Sequence, residues 1–137
     1  ISHGFRAFKF TSLLVLIKNM IIYKKYYFDA AHFMTNFKKG HKYTKVHGHS
    51  YEMIIKISGN IDKTNNWILN YDDIDEIVNP LLQKIDHKTL NEIKGLEKPT
   101  SENLAKWFWE RIKKKIVNLE SIEIIRPRIG GCIYSGD

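Results

Sequence analysis

The chain has 137 residues, of which 43% are hydrophobic and 27% charged, which is typical of one globular domain and excludes a disordered or fibrous chain. Its single cysteine, Cys132, excludes an intramolecular disulfide framework and makes a reducing, cytoplasmic setting the default expectation. The formal net charge is +7, but no basic stripe interleaved with aromatic residues accompanies it. A ligand with phosphates is therefore favoured, and no nucleic-acid partner is expected.

Residues 1–19 differ from the rest of the sequence. They contain three basic residues, no acidic residue and the only long apolar run, residues 10–17. That run is too short for a bilayer, which needs ~20 apolar residues, and no small-residue cleavage site follows it. We expect no membrane partner and interpret residues 1–19 as a non-native or upstream leader. Translation would then start at Met20, and residues 20–137 would form a single domain.

Two strands are predicted next. Residues 21–32 are rich in β-branched and aromatic side chains and predict a strand that ends near Asp29. Residues 33–45, with a glycine, an asparagine and several lysines, predict a loop. Residues 46–58 alternate well enough to predict a second strand, which we expect to pair antiparallel with the first.

Two helices follow. Apolar residues recur at helical spacing between Asn70, a candidate N-cap, and Ile85, while Pro80 predicts a kink or a break. After a polar connector, residues 99–102 predict a second helix start, with the helix running through to Ile116.

Two further strands complete the predicted domain. Residues 121–125 predict a third strand, and residues 132–134 a short fourth strand after a Gly-Gly turn. The order β-β-α-α-β-β indicates an α+β domain, with an antiparallel four-stranded sheet and both helices on one face.

Three histidines fall on the first two predicted strands. His47 and His49 are two residues apart, so both project from the same face, and Gly48 leaves the other face bare. His32 ends the neighbouring strand, which can lie alongside. Because three neutral imidazoles with an open fourth position are typical of catalytic zinc, we predict a zinc site formed by His32, His47 and His49.

The histidines also have plainer interpretations. A His-x-His pair on a strand is often only a polar face. His41 lies in a lysine-rich loop, where solvation is the simpler expectation. His87 follows Asp86 in a connector, where such a pair is usually a cap or a surface pair.

Four separated motifs resemble one known family. They are Phe28-Asp29-Ala30-Ala31-His32, His47-Gly48-His49-Ser50-Tyr51, Asp86-His87-Lys88-Thr89-Leu90-Asn91 and Pro99-Thr100-Ser101-Glu102-Asn103. In this order they resemble the 6-pyruvoyltetrahydropterin synthases and the 6-carboxytetrahydropterin synthases, the latter belonging to queuosine biosynthesis. The resemblance runs from about Met20 to Asp137 and strengthens the zinc prediction.

The resemblance implies a tunnelling fold, in which each subunit contributes an antiparallel sheet backed by two helices. Three subunits close a barrel, and two trimers stack into a hexamer. It implies 7,8-dihydroneopterin triphosphate as substrate, with side-chain hydroxyls that reach the zinc. The implied reaction removes the triphosphate with proton shifts along the side chain, followed in the carboxy enzyme by carbon–carbon cleavage.

The resemblance also implies roles for individual residues. By position, Asp86 and His87 match the family's Asp-His proton relay. Three consecutive residues match a region that lies beside the pterin: Thr100, Ser101 and Glu102.

Two positions depart from the family pattern. The family's catalytic cysteine lies four residues before the first histidine of the His-x-His pair, and Tyr43 stands there in this chain. A phenol with a pKa near ~10 is a poor base at neutral pH, whereas a thiol with a lowered pKa is a competent one. The family also places a glutamate in the C-terminal strand to bind the pterin edge, and Arg126 occupies that position. A guanidinium only donates hydrogen bonds, and Glu123, the nearest acid, would require a register shift.

We therefore expect a zinc-dependent lyase similar to 6-carboxy-5,6,7,8-tetrahydropterin synthase, working as a homotrimer or hexamer on a pterin triphosphate. Three alternatives remain open, because Tyr43 and Arg126 replace the family's cysteine and glutamate. In these alternatives the chain is a 6-pyruvoyltetrahydropterin synthase, a catalytically impaired zinc-binding paralogue, or an interaction protein that uses the barrel as a scaffold.

Overall fold

A computed structural model of the chain describes residues 20–137, and the leader predicted over residues 1–19 lies outside that part. The described elements are β1 Met20–His32, β2 His47–Gly59, α1 Tyr71–Ile85, α2 Ser101–Ile112, β3 Leu119–Arg126 and β4 Gly130–Tyr134. The predicted order of strands and helices is confirmed.

The four strands form one antiparallel sheet in the order β1-β2-β3-β4. Strand β1 does not end near Asp29 as predicted, because its pairing with β2 continues as far as His32, which lies opposite His47. The connection between β1 and β2 is the predicted loop, with one short 3₁₀ turn at Lys42–Thr44.

Helix α1 begins after Asn70, whose side chain caps it by accepting a hydrogen bond from the Asp72 amide. The sequence predicted a kink or a break at Pro80, but Pro80 does not interrupt α1, which continues to Ile85. Pro80 and Glu76, four residues earlier, are both exposed. The Glu76 carbonyl, which loses its intrahelical donor to the proline, can therefore bond to water.

Helix α2 is capped by Thr100, whose side chain accepts a hydrogen bond from the Asn103 amide at 3.1 Å. It ends at Ile112, one turn earlier than the predicted end at Ile116. The helical spacing of apolar residues in the sequence extends to Ile116, which is buried in the turn that leads into β3. Burial of this side chain therefore does not require a longer helix.

Burial alternates along the strands, so one face of the sheet is covered by the helices and the other is open. The core between sheet and helices includes Phe28, Met53, Ile55, Ile74, Val78, Leu104, Phe108, Ile112, Ile122 and Ile124. On the open face, Tyr27 and Ile133 are 64% and 66% exposed. Within residues 20–137, no helix has the length and apolar character needed to cross a bilayer.

Candidate metal and ligand site

The three predicted zinc ligands meet at one end of the sheet, on its helix-covered face. The β1–β2 register places His32 opposite His47 and Ala30 opposite His49. Residues 30, 32, 47 and 49 therefore share a face, and the small Ala30 side chain leaves room for imidazole rings. The ligand nitrogens of the three histidines all lie within 4.8 Å of one another. The structure thus brings together side chains that lie 17 residues apart in sequence.

Two backbone carbonyls fix the orientation of two of these rings. Nδ1 of His32 lies 2.9 Å from the Pro99 carbonyl, and Nδ1 of His47 lies 2.7 Å from the Lys45 carbonyl. Because a carbonyl only accepts, both Nδ1 atoms must carry hydrogen, and each neutral ring keeps its lone pair on Nε2. Outer partners of this kind are typical of metal-binding histidines.

The lone pairs fixed in this way face each other. Nε2 of His32 and Nε2 of His47 are 3.0 Å apart. Two nitrogens at ~2.0–2.1 Å from a tetrahedral zinc ion would be about 3.3 Å apart, so this separation fits a shared ion. Without a cation between them, two unprotonated nitrogens at this distance repel each other. The donor set therefore fits zinc.

The third ring has a different neighbour. Nε2 of His49 lies 3.5 Å from Nη1 of Arg126, at the outer limit of a hydrogen bond. Because a guanidinium only donates, the His49 nitrogen is the acceptor and is also unprotonated. A metal ion and Arg126 would compete for this lone pair.

Burial and charge favour the neutral, metal-binding form of two of these histidines, His32 and His49. Burial lowers the pKa of His32, and the charges of His47 and Arg126 add to the effect, although the hydrogen bond to Pro99 opposes it. Burial also lowers the pKa of His49 to about 4, assisted by the charges of His32, Arg126 and His47.

The histidines line an open pocket of about 350 Å³. Five other residues selected from the sequence line the same pocket: Tyr43, Thr100, Ser101, Glu102 and Arg126. Arg126 faces it because Met53 pairs with Ile124 on the covered side, and residues alternate along β3. Glu123 lies on the open face, where its carboxylate is 3.7 Å from the Lys56 ammonium. The sequence analysis assigned Arg126, rather than Glu123, to the position that faces the pterin in the family, and the strand register agrees with that assignment.

Tyr43 lies at the mouth of the pocket and is 41% exposed. Its ring centroid is 6.1 Å from that of His47, and its nearest aromatic neighbours are His41 and Phe37. The Lys42 ammonium lies 5.1 Å from the centroid of the Tyr43 ring. Tyr43 is thus near the metal ligands but makes no hydrogen bond to any of them.

Asp86 and His87 do not line this pocket. They follow α1 and lie beside β1, where the His87 amide donates to the Asp29 carbonyl and the Ala31 amide donates to the Lys88 carbonyl. Nδ1 of His87 is 3.0 Å from the Asp86 carboxylate. The Asp29 side chain, which shares this cluster, points to the opposite face of β1 from His32. Within one chain, the predicted relay and the predicted metal ligands are therefore separate.

Sequence reasoning missed three contributors to the site. The carbonyls of Pro99 and Lys45 carry no sequence signal, because every residue has one. Tyr51 could have been found, since it continues the alternation of His47 and His49. Its ring lies 5.9 Å from that of His49, and its hydroxyl is buried.

Comparison with known proteins agrees with the fold. Residues 21–137 match the family model described as 6-pyruvoyl tetrahydropterin synthase. The 6-carboxy-5,6,7,8-tetrahydropterin synthase of Synechocystis is 30% identical, with 83% of this chain and 92% of that protein covered. The dihydroneopterin monophosphate aldolase of Pyrococcus furiosus is 32% identical, with 73% of this chain and 80% of that protein covered.

A solved structure shares the architecture. The 6-pyruvoyl tetrahydropterin synthase of Caenorhabditis elegans superposes with a TM-score of 0.76 at 22% identity, covering 88% of this chain and 99% of that one. The fold is thus that of this structure, while the family follows from the sequence match over residues 21–137. The chain belongs to the 6-pyruvoyl tetrahydropterin synthase family.

Proposed function

We propose that this chain is a zinc-dependent lyase that acts on 7,8-dihydroneopterin triphosphate as a 6-carboxy-5,6,7,8-tetrahydropterin synthase, in queuosine biosynthesis. The observation that carries the proposal is the convergence of three histidine ring nitrogens, from His32, His47 and His49, in one open pocket. The relative in Synechocystis supports the choice of reaction.

In this proposal the chain's own residues divide the work. His32, His47 and His49 hold the ion, while the Pro99 and Lys45 carbonyls keep two of the rings turned toward it. Bound zinc supplies a Lewis acid that makes the substrate's hydroxyl protons easier to remove. Three residues at the start of α2 contribute to substrate binding: Thr100, Ser101 and Glu102.

Proton transfer is assigned to Asp86 and His87, with Tyr43 as an additional acid. The His87 side chain is 76% exposed beside β1, outside the metal pocket of its own chain. We therefore propose that it completes the pocket of a neighbouring subunit. Tyr43 is already at the pocket mouth, where a phenol can donate a proton but is a weak base.

The assembly has a direct test. Within residues 20–137 no strand pairs with the outer edge of β4, and the open face of the sheet carries exposed apolar side chains such as Tyr27 and Ile133. Sheet edges of this kind are usually covered in the native state, so we expect a trimer or a hexamer. Light scattering at micromolar concentration measures this, and a monodisperse monomer would contradict the barrel.

The reaction is tested by incubating zinc-loaded protein with 7,8-dihydroneopterin triphosphate and separating the products. Formation of 6-carboxytetrahydropterin supports the proposal, whereas 6-pyruvoyltetrahydropterin assigns the chain to the other branch. No product, with zinc bound and the oligomer intact, identifies a catalytically impaired paralogue or scaffold.

A second candidate reaction comes from the aldolase relative in Pyrococcus furiosus. Retro-aldol cleavage of a dihydroneopterin phosphate also breaks a side-chain carbon–carbon bond, and it requires no thiol at the Tyr43 position. The same product separation, with dihydroneopterin monophosphate as substrate, distinguishes this reaction. Cleavage of the monophosphate at a rate above that of the triphosphate would favour the aldolase.

A further inference from the structure

Arg126 places a positive charge in the histidine pocket, where no described residue gives it a negative partner. The preceding residue of β3, Ile125, pairs with Glu52 of β2. Arg126 therefore lies opposite Tyr51, on the covered face of the sheet. Its one hydrogen-bond contact among residues 20–137 is the 3.5 Å approach to His49. No carboxylate in that range forms an ion pair with it. Glu102, which lines the same pocket, has an exposed side chain and no ion pair with Arg126.

Two polar atoms without partners belong to residues that line this pocket. Among residues 20–137, four buried side-chain polar atoms have no hydrogen-bond partner, and two of these are Nε of Arg126 and the Ser101 hydroxyl. Leaving such groups unpaired costs free energy. The guanidinium only donates and the hydroxyl can donate, so an acceptor in the pocket would satisfy either of them.

The start of helix α2 adds donors from the other side of the pocket. Ser101 and Glu102 are its first two residues, and both line the pocket. Backbone amides at these positions have no partner within a helix, and the positive end of the helix dipole favours an anion. The Thr100 cap accepts from Asn103, so it does not satisfy either of those amides.

We propose that Arg126 and the first turn of α2 form an oxyanion subsite beside the three histidines, which receives a phosphate or carboxylate group of the ligand. Such a group gives the guanidinium a charged partner at hydrogen-bond distance, in place of a neutral imidazole at 3.5 Å. It also releases the His49 lone pair for a metal ion. Treating the anion as part of the substrate rests on the proposed function, but the subsite itself does not.

The subsite is tested by titrating the full-length protein with inorganic phosphate and measuring heat by calorimetry, at constant ionic strength. The titration is repeated after the metal has been removed with a chelator, so that phosphate held by metal is separated from phosphate held by Arg126. We expect saturable binding in both forms. Arg126→Gln should weaken it at least about ten-fold, since it removes a charge-assisted hydrogen bond.

The matched control is Arg128→Gln, which makes the same change in net charge two residues away on the exposed β3–β4 turn. It should leave the phosphate affinity within about two-fold, as expected for an exposed, screened charge. Arg126→Lys, which keeps the charge and is less disruptive, should fall between wild type and Arg126→Gln. Circular dichroism confirms that each variant is folded.

Two results would overturn the subsite: no saturable phosphate binding to the metal-free wild type, or equal affinities for Arg126→Gln and Arg128→Gln. Titration with acetate then distinguishes the two sources of the anion, because a carboxylate site should bind acetate at least as tightly as phosphate. These measurements involve no turnover. A protein without the proposed lyase activity would therefore still show the subsite in the phosphate titration. A protein without the subsite would still have its lyase activity decided by product separation.

Discussion

Two clusters that contain histidine lie beside strand β1, and they differ in burial and in the partners of their rings. At the metal pocket, His32 is 2% exposed and its Nδ1 faces a backbone carbonyl. Beside β1, the His87 side chain is 76% exposed and its Nδ1 faces the Asp86 carboxylate at 3.0 Å. A buried ring held by a neutral carbonyl keeps a free lone pair, whereas an exposed ring beside a carboxylate can exchange protons with solvent. The surroundings, rather than the residue type, separate the proposed metal-binding cluster from the proposed proton-transfer pair.

The backbone supports this separation. His87 has a positive φ of 59°, and its amide donates to the Asp29 carbonyl at 2.6 Å. The Asp86 carboxylate in turn accepts a hydrogen bond from the Asp29 amide at 3.0 Å. These contacts hold the Asp-His pair against β1 with the imidazole projecting outward, where it is available to a second subunit.

The largest effect is expected from His47→Ala, which should weaken zinc binding roughly 10³-fold. A zinc binding free energy of ~10 kcal/mol or more, shared among a few ligands, gives each about 3–4 kcal/mol. Metal competition with a chromophoric chelator measures the affinity. The matched control is His87→Ala, which should bind zinc as wild type does; equal losses in both variants would remove the distinction between the clusters.

His87→Ala should instead lower turnover of the dihydroneopterin substrate by about 100-fold, since positioned acid–base groups contribute ~10²–10⁴-fold. Zinc content and oligomeric state should not change. If the rate is unaffected, the cluster beside β1 has a purely structural role. Mixing His87→Ala subunits with His47→Ala subunits should restore part of the activity, because a pocket between subunits can take one intact cluster from each.

The two departures from the family pattern should show coupling. Tyr43→Cys alone should do little, and Arg126→Glu alone should improve mainly binding of the pterin edge, at the expense of anion binding in the subsite proposed above. The double variant should exceed the product of the single effects by about ten-fold, because a base is useful only against a positioned substrate. Steady-state kinetics on all four proteins gives the coupling. A double variant that shows no more than the product of the two single effects would contradict this account, because the two positions would then act independently.

The smallest effect concerns a carboxylate whose role is stability. The Asp75 carboxylate lies 2.5 Å from the Lys24 ammonium and accepts a hydrogen bond from the Tyr26 hydroxyl at 2.8 Å. Asp75→Asn should lower the free energy of unfolding by about 1 kcal/mol, a value reduced for solvent screening. Urea unfolding measures this, with Glu76→Gln as the exposed control; Asp86→Asn should likewise be close to neutral.

The Asp75 contribution should also depend on pH. The hydrogen bond from Lys24 lowers the pKa of Asp75, and the Tyr26 hydroxyl lowers it further. Its stabilisation is therefore complete above the pKa of an unfolded aspartate, near ~4, and is lost as the pH falls through the lower folded value. Wild type and Asp75→Asn should converge in stability as the solution is acidified, and a constant difference would show that the charge is not responsible.

Part of the candidate metal pocket could be predicted from local pattern alone. The two-residue spacing of His47 and His49 fixed their common face. Tyr43 and Arg126, in contrast, were placed at the site by their positions relative to the family pattern. The position of Asp86 and His87 could not be predicted, because it depends on backbone bonds from a connector to a strand more than fifty residues earlier. Pro80 was misleading for a related reason: its penalty depends on whether the freed carbonyl can reach water, which is a property of the packed helix.

The carbonyls that orient His32 and His47 belong to the main chain of Pro99 and Lys45. A scan that replaces Lys45 by alanine removes the side chain and leaves the carbonyl in place, so the ring should stay where it is. Natural sequences are equally free to vary at this position without disturbing the histidine. The outer shell of this candidate metal centre is therefore encoded by the path of the chain, and neither mutagenesis of side chains nor comparison of sequences would reveal it.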